Sequence, residues 1–375
     1  MMVRGIATAV LAFGVAGGGR PEAQGPATAQ ADDFRVVVVS ESGDVVTWLR
    51  PEGNRLVVDR VVPVGIMPAD IDGPHNVAMA PDMKSYFVTL AHGVPFGTLW
   101  RFDAANDTVI GRATVELFPT TIAVTPDGEI AFVANSDFHG ERPRQNVVSV
   151  VHLPTMVKLT DIPACDMPHG VRVNHAGTLA YVSCMNSDEL LELDTATFEI
   201  RRRIAIGSGH SMGAEAGDHH PAASTPPGGA DRPCAGTFVS VSADDARLYL
   251  ACNAGNTVQV RNTADLALVA EIPVGAGAYN VEPSPDGRFV VATNKKDQSV
   301  SIIDPAALRE IARVRTTKKI VHGVAFSPDG RLAYVSQESV GSDPGAVDVI
   351  DLAQRKVVGT VPIPAQPTGI AVARP

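Results

Sequence analysis

A pattern of apolar and polar positions recurs along the chain. Each copy has an apolar strand, a hairpin of the Pro-Asp-Gly type, and a second apolar strand that ends in small or polar residues. Turn residues between two runs rich in β-branched side chains predict a β-hairpin. Two further strands follow, for example residues 346–350 and 356–363. The repeating unit therefore has four strands. Its copies begin at His75, Thr120, His169, Thr237, Tyr279, His322 and Thr368.

The copy at Thr368 supplies only a first strand, and residues 34–40 near the other end have the pattern of the second strand that it lacks. Seven units joined in this way predict an all-β fold. We expect a seven-bladed β-propeller of four-stranded blades, closed by pairing of the N- and C-terminal strands. Radial closure leaves no long exposed sheet edge. Residues 32–375 are expected to form this one domain.

The spacing of the copies locates an insertion. Successive starts are separated by 45, 49, 68, 42, 43 and 46 residues, so one interval is longer than the others. The excess lies in residues 207–233, which are rich in Gly, Pro and Ala and have no strand period. Such composition predicts a loop, and long loops on rigid scaffolds often carry function. This loop joins two blades and contains several His and Met residues.

The first 31 residues have the features of a targeting segment. Arg4 precedes an apolar stretch over residues 5–15, and residues 27–29 and 29–31 both fit a small-residue cleavage site. This order is typical of a secretory signal peptide. We therefore predict a signal peptide with a small-residue linker over residues 1–31, and a periplasmic or secreted protein.

Composition and charge exclude some functions. The formal charge is −10, from 31 basic and 41 acidic residues. An acidic surface disfavours nonspecific binding to nucleic acid, because that binding depends on Lys and Arg. No apolar stretch after the N-terminal segment is long enough to cross a membrane. We expect a monomer that acts on a small-molecule substrate or a redox partner protein, without nucleic acid and without a membrane span.

The hairpins with their flanking strands resemble the YVTN-repeat family of exported β-propellers. Tyr181-Val182-Ser183 and Tyr334-Val335-Ser336 stand where the motif of that family falls. The resemblance covers nearly all of residues 32–375 and implies the propeller fold. It does not imply one activity, since the family includes binding modules, uncharacterised exported proteins and relatives of enzymes.

The topology predicts that most of the histidines lie on one face. Starts of first strands, ends of second strands and connections between blades share a face, called here the connection face. Three histidines begin first strands, next to the central axis, and the other connection-face histidines follow second strands or lie in the long loop. These residues are His75, His169 and His322 at the strand starts, and His92, His139, His210, His219 and His220 elsewhere on the face.

Imidazole with thioether favours copper over calcium or magnesium. Met167, Met185 and Met212 are expected on the same face, and residues 210–220 form a short His/Met-rich tract of the kind that binds metal. We therefore predict a transition-metal site, with copper as the favoured cofactor. The hub histidines resemble those of two copper propellers, nitrous-oxide reductase and thiocyanate dehydrogenase, but only in part, because four copies begin with Thr or Tyr.

A structural role for the hub histidines is the alternative. A histidine at a repeated position can hydrogen-bond a neighbouring blade, and a threonine at the same position can do the same. Charged residues near the loops of the connection face, Lys295 and Glu338 among them, are candidates for acid, base or substrate contacts, and most charges of this set are expected to be solvated surface.

Four cysteines occupy repeated positions. Cys184 and Cys252 end second strands, and Cys165 and Cys234 precede the corresponding first strands. Of the three possible pairings, Cys165–Cys184 with Cys234–Cys252 is preferred, because each pair flanks one hairpin. The alternative is a thiolate metal site on the same face, and export favours the disulfides.

Three functions remain open, and no residue is assigned a catalytic role. The first is an exported propeller that binds copper on its His-rich face and acts as an oxidoreductase. The second is a non-catalytic propeller that binds a ligand or a protein. The third is a lactonase-like or lyase-like enzyme.

Overall fold

The computed structural model describes residues 34–65, 70–93, 96–138, 146–207 and 233–374. The elements of these ranges are β-strands, arranged in seven four-stranded antiparallel sheets. Strands are numbered along the chain and are given for each blade in order from the axis outward. Blade 1 consists of β28 (Pro367–Ala373), β1 (Arg35–Ser40), β2 (Val45–Glu52) and β3 (Arg55–Pro63). Blade 2 is β4 (Pro74–Met79), β5 (Ser85–Leu90), β6 (Thr98–Asp103) and β7 (Val109–Thr114). Blade 3 is β8 (Pro119–Val124), β9 (Ile130–Asn135), β10 (Val147–His152) and β11 (Val157–Pro163).

The other four blades follow in chain order. Blade 4 is β12 (Pro168–Val173), β13 (Leu179–Cys184), β14 (Glu189–Asp194) and β15 (Ile200–Ala205). Blade 5 is β16 (Gly236–Val241), β17 (Arg247–Cys252), β18 (Thr257–Asn262) and β19 (Leu268–Pro273). Blade 6 is β20 (Ala278–Pro283), β21 (Val290–Asn294), β22 (Ser299–Asp304) and β23 (Arg309–Arg315). Blade 7 is β24 (Val321–Phe326), β25 (Leu332–Gln337), β26 (Gly345–Asp351) and β27 (Lys356–Ile363).

The closure predicted from the sequence is confirmed. β1 pairs with β28, the last strand of the chain, and Val36 lies opposite Val372 in the register of that pair. Blade 1 therefore takes its inner strand from one end of the chain and its other three strands from the opposite end. The seven-bladed, all-β fold expected from the repeats is the observed fold.

The core lies between blades. The two middle strands of a blade are buried on both faces, as in β13 and β14, whereas the outer strand β15 alternates between partly buried and exposed residues. One cluster joins Phe132 and Val148 of blade 3 to Val182 and Leu191 of blade 4. Each fully buried large apolar side chain contributes about 1.5–3 kcal/mol to folding. This packing fixes the blades that position the central channel.

Both predicted disulfides are confirmed. Cys165 is bonded to Cys184, and Cys234 is bonded to Cys252. Each bond ties the segment before an inner strand to the end of the next strand, on the connection face of blades 4 and 5. Thiolate metal ligation by these four cysteines is thereby excluded. Disulfides persist in oxidising compartments, which supports an exported location.

Candidate functional site

Each inner strand is irregular at the point where a repeat begins. The pairing register of six inner strands shifts there, for example between Pro74 and Asn76 in β4 and between Pro168 and Gly170 in β12. The same shift occurs in the four inner strands β8, β16, β20 and β24. A bulge of this kind redirects side chains. It brings the first residue of a copy to the axis, and other inner-strand residues line the channel farther along.

Two cavities open on the axis, one from each face. The hub cavity, on the connection face, has a volume of about 480 Å³. The hairpin-face cavity has a volume of about 510 Å³. Five rings lie between them: His75, His169 and Tyr279 line the hub cavity, and Phe238 and His322 line the hairpin-face cavity. Successive ring centroids are 4.6–5.5 Å apart, as in the pairs His75–His322, Tyr279–His322, His169–Tyr279 and Phe238–Tyr279.

The three hub histidines are therefore close together and buried, with exposures of 6% for His75, 4% for His169 and 1% for His322. Part of their role is structural. His169 Nδ1 donates to the carbonyl of Thr237 in the next blade at 2.9 Å. Thr120 and Thr237, at the same repeated position, also bond the next blade, because their hydroxyls donate to the carbonyls of His169 and Tyr279 at 3.0 and 2.6 Å. Threonine and histidine thus share the contact between blades, and a histidine adds a second ring nitrogen.

Glu41 organises two histidines on the other side of the hub. Its carboxylate lies 2.8 Å from His75 Nδ1 and 2.7 Å from His92 Nε2. Burial opposes ionisation of Glu41, but the charge and hydrogen bond of His75, reinforced by His92, hold its pKa well below the usual range. The hydrogen bond to Glu41 in turn raises the pKa of His92. Because a carboxylate accepts hydrogen bonds, the proton of neutral His75 is on Nδ1.

His75 Nε2 is buried and has no hydrogen-bond partner in the described part of the chain. His322 Nε2 is also unpartnered and lies 3.8 Å from Glu338 Oε1. A buried polar atom without a partner is costly, and it commonly marks a place where a ligand, ion or water binds. His75 Nε2 is therefore an open acceptor at the hub, and neither ring nitrogen of His322 has a hydrogen-bond partner among the described residues.

The rings on the opposite side of the axis are neutral. Burial lowers the pKa of His169 to about 3, and burial with the nearby Lys295 lowers the pKa of His322 well below its usual value. Burial also raises the pKa of Tyr279 to about 12, so its phenol keeps its proton. The Tyr279 hydroxyl lies 3.1 Å from His169 Nε2 and donates to it, since Nδ1 carries the proton of that imidazole.

Lys295 and Glu338 complete the charged part of the cavity. Lys295 Nζ is 2.7 Å from Glu338 Oε1 and 4.2 Å from the centre of the Tyr279 ring. Burial disfavours the ammonium, but Tyr279 and Glu338 together raise the pKa of Lys295, so it is a cation. The ammonium contacts both Glu338 and the Tyr279 side chain and stands in the cavity lining.

Apolar side chains form the rest of the wall. Phe118 packs on His75 and His92 with ring centroids 5.4 and 5.3 Å away, and on Phe138 at 5.6 Å. Phe138 and Ile71 are 57% and 60% exposed and stand in the lining. The cavity thus combines an apolar side, formed by Phe118, Phe138 and Ile71, with convergent polar groups that can orient a small molecule.

The structure places the predicted ligands in different ways. His92 lines the hub cavity with His75 and His169, His322 lines the hairpin-face cavity, and Met167 and Met185 are not part of the hub lining. Met167 is buried beside the Cys165–Cys184 bond, and its carbonyl accepts the Met185 amide. Five predicted ligands lie outside the described residues: His139, His210, Met212, His219 and His220. Over the ranges that are described, no three His, Cys, Asp or Glu side chains are grouped so that they could hold a metal ion.

Three cavity residues escaped the sequence interpretation: Glu41, Phe118 and Phe138 follow or precede inner-blade strands without a motif. The sequence marks Lys295 and Glu338 only as members of a set of possible contacts, most of which are expected to be solvated charges. One signal was present for the last two, because both come directly after a second strand and so stand on the connection face. The repeat position of Glu41, one residue after β1, carries the same information.

The comparisons with known proteins agree on the fold. The model of the family described as "Cytochrome D1 heme domain" matches residues 291–374, which is 84 of 375 residues and includes Lys295, His322 and Glu338. The chain is similar to Kuenenia stuttgartiensis hydrazine synthase, with a TM-score of 0.63 and 20% identity over 82% of this chain and 93% of the other. It is also similar to the periplasmic gluconolactonase PpgL of Pseudomonas aeruginosa, with a TM-score of 0.69 and 19% identity over 91% of this chain and 99% of the other.

A further similar structure is that of dihydro-heme d1 dehydrogenase NirN, with a TM-score of 0.58 and 20% identity over 94% of this chain and 77% of the other. Haem carries anionic carboxylates and needs an axial ligand. The described lining of the hub cavity offers one unpartnered imidazole nitrogen, His75 Nε2, but its cations Lys295 and His92 are each paired to a carboxylate of the same lining. The lining has no surplus positive charge for the haem carboxylates, so these residues do not fit haem.

Two further findings concern membrane-spanning helices and what the likeness of fold shows. The described residues contain no helix that is long and apolar enough to span a membrane. The likeness to structures of 19–20% identity establishes the propeller fold but not the activity.

Proposed function

We propose that the chain is an exported propeller of the YVTN type whose hub cavity binds and hydrolyses a small ester or lactone. One observation carries this proposal: His75 presents an unpartnered Nε2 while Glu41 holds its Nδ1 at 2.8 Å. An imidazole oriented by a carboxylate, with its second nitrogen open, is the arrangement of a general base. The signal-like residues 1–31 and the two disulfides support export.

The proposed reaction uses the polar groups of the cavity in turn. His75 Nε2 accepts a proton from water, and the water oxygen attacks the carbonyl carbon. The developing oxyanion is stabilised by the Lys295 ammonium, which is held beside Tyr279 at 4.2 Å. When the carbon–oxygen bond of the ester breaks, the leaving oxygen takes the proton from His75. The product is a hydroxy acid, or an acid and an alcohol, and Glu41 stabilises the intermediate imidazolium throughout.

The gluconolactonase among the similar structures supports the choice of reaction class, because it shows that a periplasmic propeller of this size acts on a lactone. The test is proton release from a panel of aldonolactones and simple lactones by the exported protein. His75→Gln should lower the rate by about 100-fold, since one general base contributes about 10²–10⁴. His175→Gln is the matched control, because His175 is a 60% exposed histidine on the hairpin face.

A copper site is the second candidate. His75 and His322 have unpartnered Nε2 atoms and ring centroids 5.4 Å apart, and the Nδ1 contacts of His75 and His169 to Glu41 and a carbonyl are those of metal-binding histidines. The predicted His/Met-rich loop at residues 207–233 would supply further ligands to such a site. Metal analysis of the exported protein and of the His75/His169/His322 triple alanine variant separates the two candidates. About one copper per chain, lost in the variant, supports the oxidoreductase.

If the protein neither binds metal nor hydrolyses lactones, the non-catalytic binding module remains as the function. In that outcome the folded, metal-free protein would be indifferent to chelators.

A further inference from the structure

The hairpin-face cavity has its own charged centre. At the fourth residue of each copy the inner strands carry small side chains in five of seven blades, and two blades depart from this rule. The small residues are Ala78, Ala123, Ser240, Ala325 and Ala371. The two departures are Arg172 in β12 and Glu282 in β20, and both line the cavity.

Arg172 and Glu282 form an ion pair that passes in front of blade 5, which carries only Ser240 at this position. The side chains are 39% and 20% exposed, so the pair is open to the solvent in the cavity. An exposed ion pair contributes about 0–1 kcal/mol to stability. Stability alone is therefore a weak reason for two charges in a channel that alanine lines in neighbouring blades.

Two further atoms in this cavity lack partners in the described ranges. Arg172 Nε is buried without an acceptor, and Asn280 Oδ1 is buried without a donor. Asn280 is 7% exposed and stands two residues before Glu282 in β20, and both residues line the cavity. The cavity thus has one open donor on the Arg172 side and one open acceptor on the Glu282 side.

We propose that the hairpin-face cavity is a binding site for an α-amino acid. A carboxylate meets Arg172, including its unpartnered Nε, and an ammonium meets Glu282 with Asn280 Oδ1. Because Arg172 and Glu282 touch each other, the charges of the ligand must be close together, and those of an α-amino acid are one carbon apart. A zwitterion replaces one ion pair by two and leaves neither charge uncompensated. A ligand with one charge would leave its counterpart unpaired.

The test is isothermal titration of the exported protein with glycine, L-leucine and L-glutamate. For any amino acid that binds, the analogues that lack one charge are titrated next, which for L-leucine are 4-methylpentanoate and 3-methylbutylamine. The proposal predicts binding at micromolar to millimolar concentration and at least about tenfold weaker binding of each analogue. Equal binding of the carboxylate alone, or of the amine alone, would overturn it, as would no binding by any of the three amino acids.

The Arg172→Ala/Glu282→Ala double variant should lose the binding. It places in blades 4 and 6 the residue that Ala78, Ala123, Ala325 and Ala371 already provide elsewhere, so the channel keeps a lining that the fold accommodates. Asn280→Ala is the milder variant and should weaken binding several-fold. Retained affinity in the double variant contradicts the site. His75→Gln should leave amino-acid binding unchanged, so the outcome is independent of the lactone hydrolysis proposed for the hub cavity.

Discussion

The two ends of the channel are built from different parts of the blade. The hub cavity takes its polar groups from bulged strand starts and from connections, such as Glu41 after β1 and Lys295 after β21. The hairpin-face cavity takes its charges from regular positions inside β12 and β20. Connections can vary without disturbing the blades, so the hub cavity has accumulated a network of carboxylates, imidazoles and an ammonium. The fourth residue of each copy must fit beside the equivalent residues of six other blades, and it is small in five of the seven.

The difference shows where chemistry can be placed in a closed ring of blades. At the hub, the neutral buried rings of His169 and Tyr279 stand beside the paired charges of Lys295 with Glu338 and of His92 with Glu41. On the hairpin face, the Arg172–Glu282 ion pair stands among inner-strand residues, of which four are alanines at the same repeated position. Each variant below alters one end of the channel, and the other end serves as the reference.

The largest expected effect concerns the disulfides, which lie on the connection face. Each closes a loop of 18 or 19 residues. Replacing one pair, as in Cys165→Ser/Cys184→Ser, should lower the free energy of unfolding by about 2–4 kcal/mol. Urea unfolding of the variant and of the parent protein measures the difference. A variant as stable as the parent would show that packing alone holds this end of blade 4.

Glu41→Gln should have the next largest effect, on turnover. The amide keeps the size of the side chain but loses the charge that orients and stabilises protonated His75. We expect a fall of about 100-fold in kcat with KM nearly unchanged. Amino-acid binding at the hairpin face is the internal control and should be unaffected. An unchanged kcat in the variant would remove Glu41 from the proposed mechanism.

Substitutions at Thr237 test whether the first residue of a copy stabilises the protein by bonding the next blade. The Thr237 hydroxyl donates to the Tyr279 carbonyl at 2.6 Å, so Thr237→Val leaves a buried acceptor unpaired. The valine variant should be about 1–2 kcal/mol less stable than Thr237→Ser, which keeps the hydroxyl. Thermal and urea unfolding of the two variants provide the comparison. Equal stability would mean that the bond between blades is dispensable.

The smallest effect is a pH dependence of stability from Glu41 and His92. The pKa of His92 is raised above 6.5, so its contribution is complete below pH 6.5 and is lost as pH rises through the folded pKa. The pKa of Glu41 is lowered below 4.5, so its contribution is present above pH 4.5 and is lost as pH falls. Both contributions are therefore complete between these values.

We expect the parent protein to lose stability as pH rises from 6 to 9, and His92→Gln to lack that part of the decline. Urea midpoints measured across this range are the test. Parallel curves for the parent and the variant would show that the Glu41–His92 contact does not persist in solution.

The repeat made most of the fold predictable. The alternation of strands and Pro-Asp-Gly turns predicted the seven blades and the closure of β1 on β28, and the repeated positions of the four cysteines predicted the two disulfides. The repeat could not reveal the bulges, because a register shift depends on how two strands pair and leaves no mark in the period. Those bulges are what bring His75, His169 and His322 to the axis.

The contents of the hub cavity were predictable only in part. Histidines at a repeated position could be found, and so could their structural alternative, which the contacts of Thr120 and Thr237 now document. The Glu41–His75 contact joins residues 34 positions apart through the geometry of two blades, and no local pattern encodes it. The copper site remains a prediction, with five of its proposed ligands outside the described residues.

The central claim is that neutral His75 carries its proton on Nδ1 and offers Nε2 to the hub cavity. Nitrogen-15 NMR of labelled histidine rings, assigned with His75→Gln, tests it at a pH where the imidazole is neutral. We expect a protonated Nδ1, an unprotonated Nε2, and a change in the Nε2 chemical shift when a lactone product binds. A protonated Nε2, or an Nε2 shift that no ligand changes, would contradict the proposed role of His75.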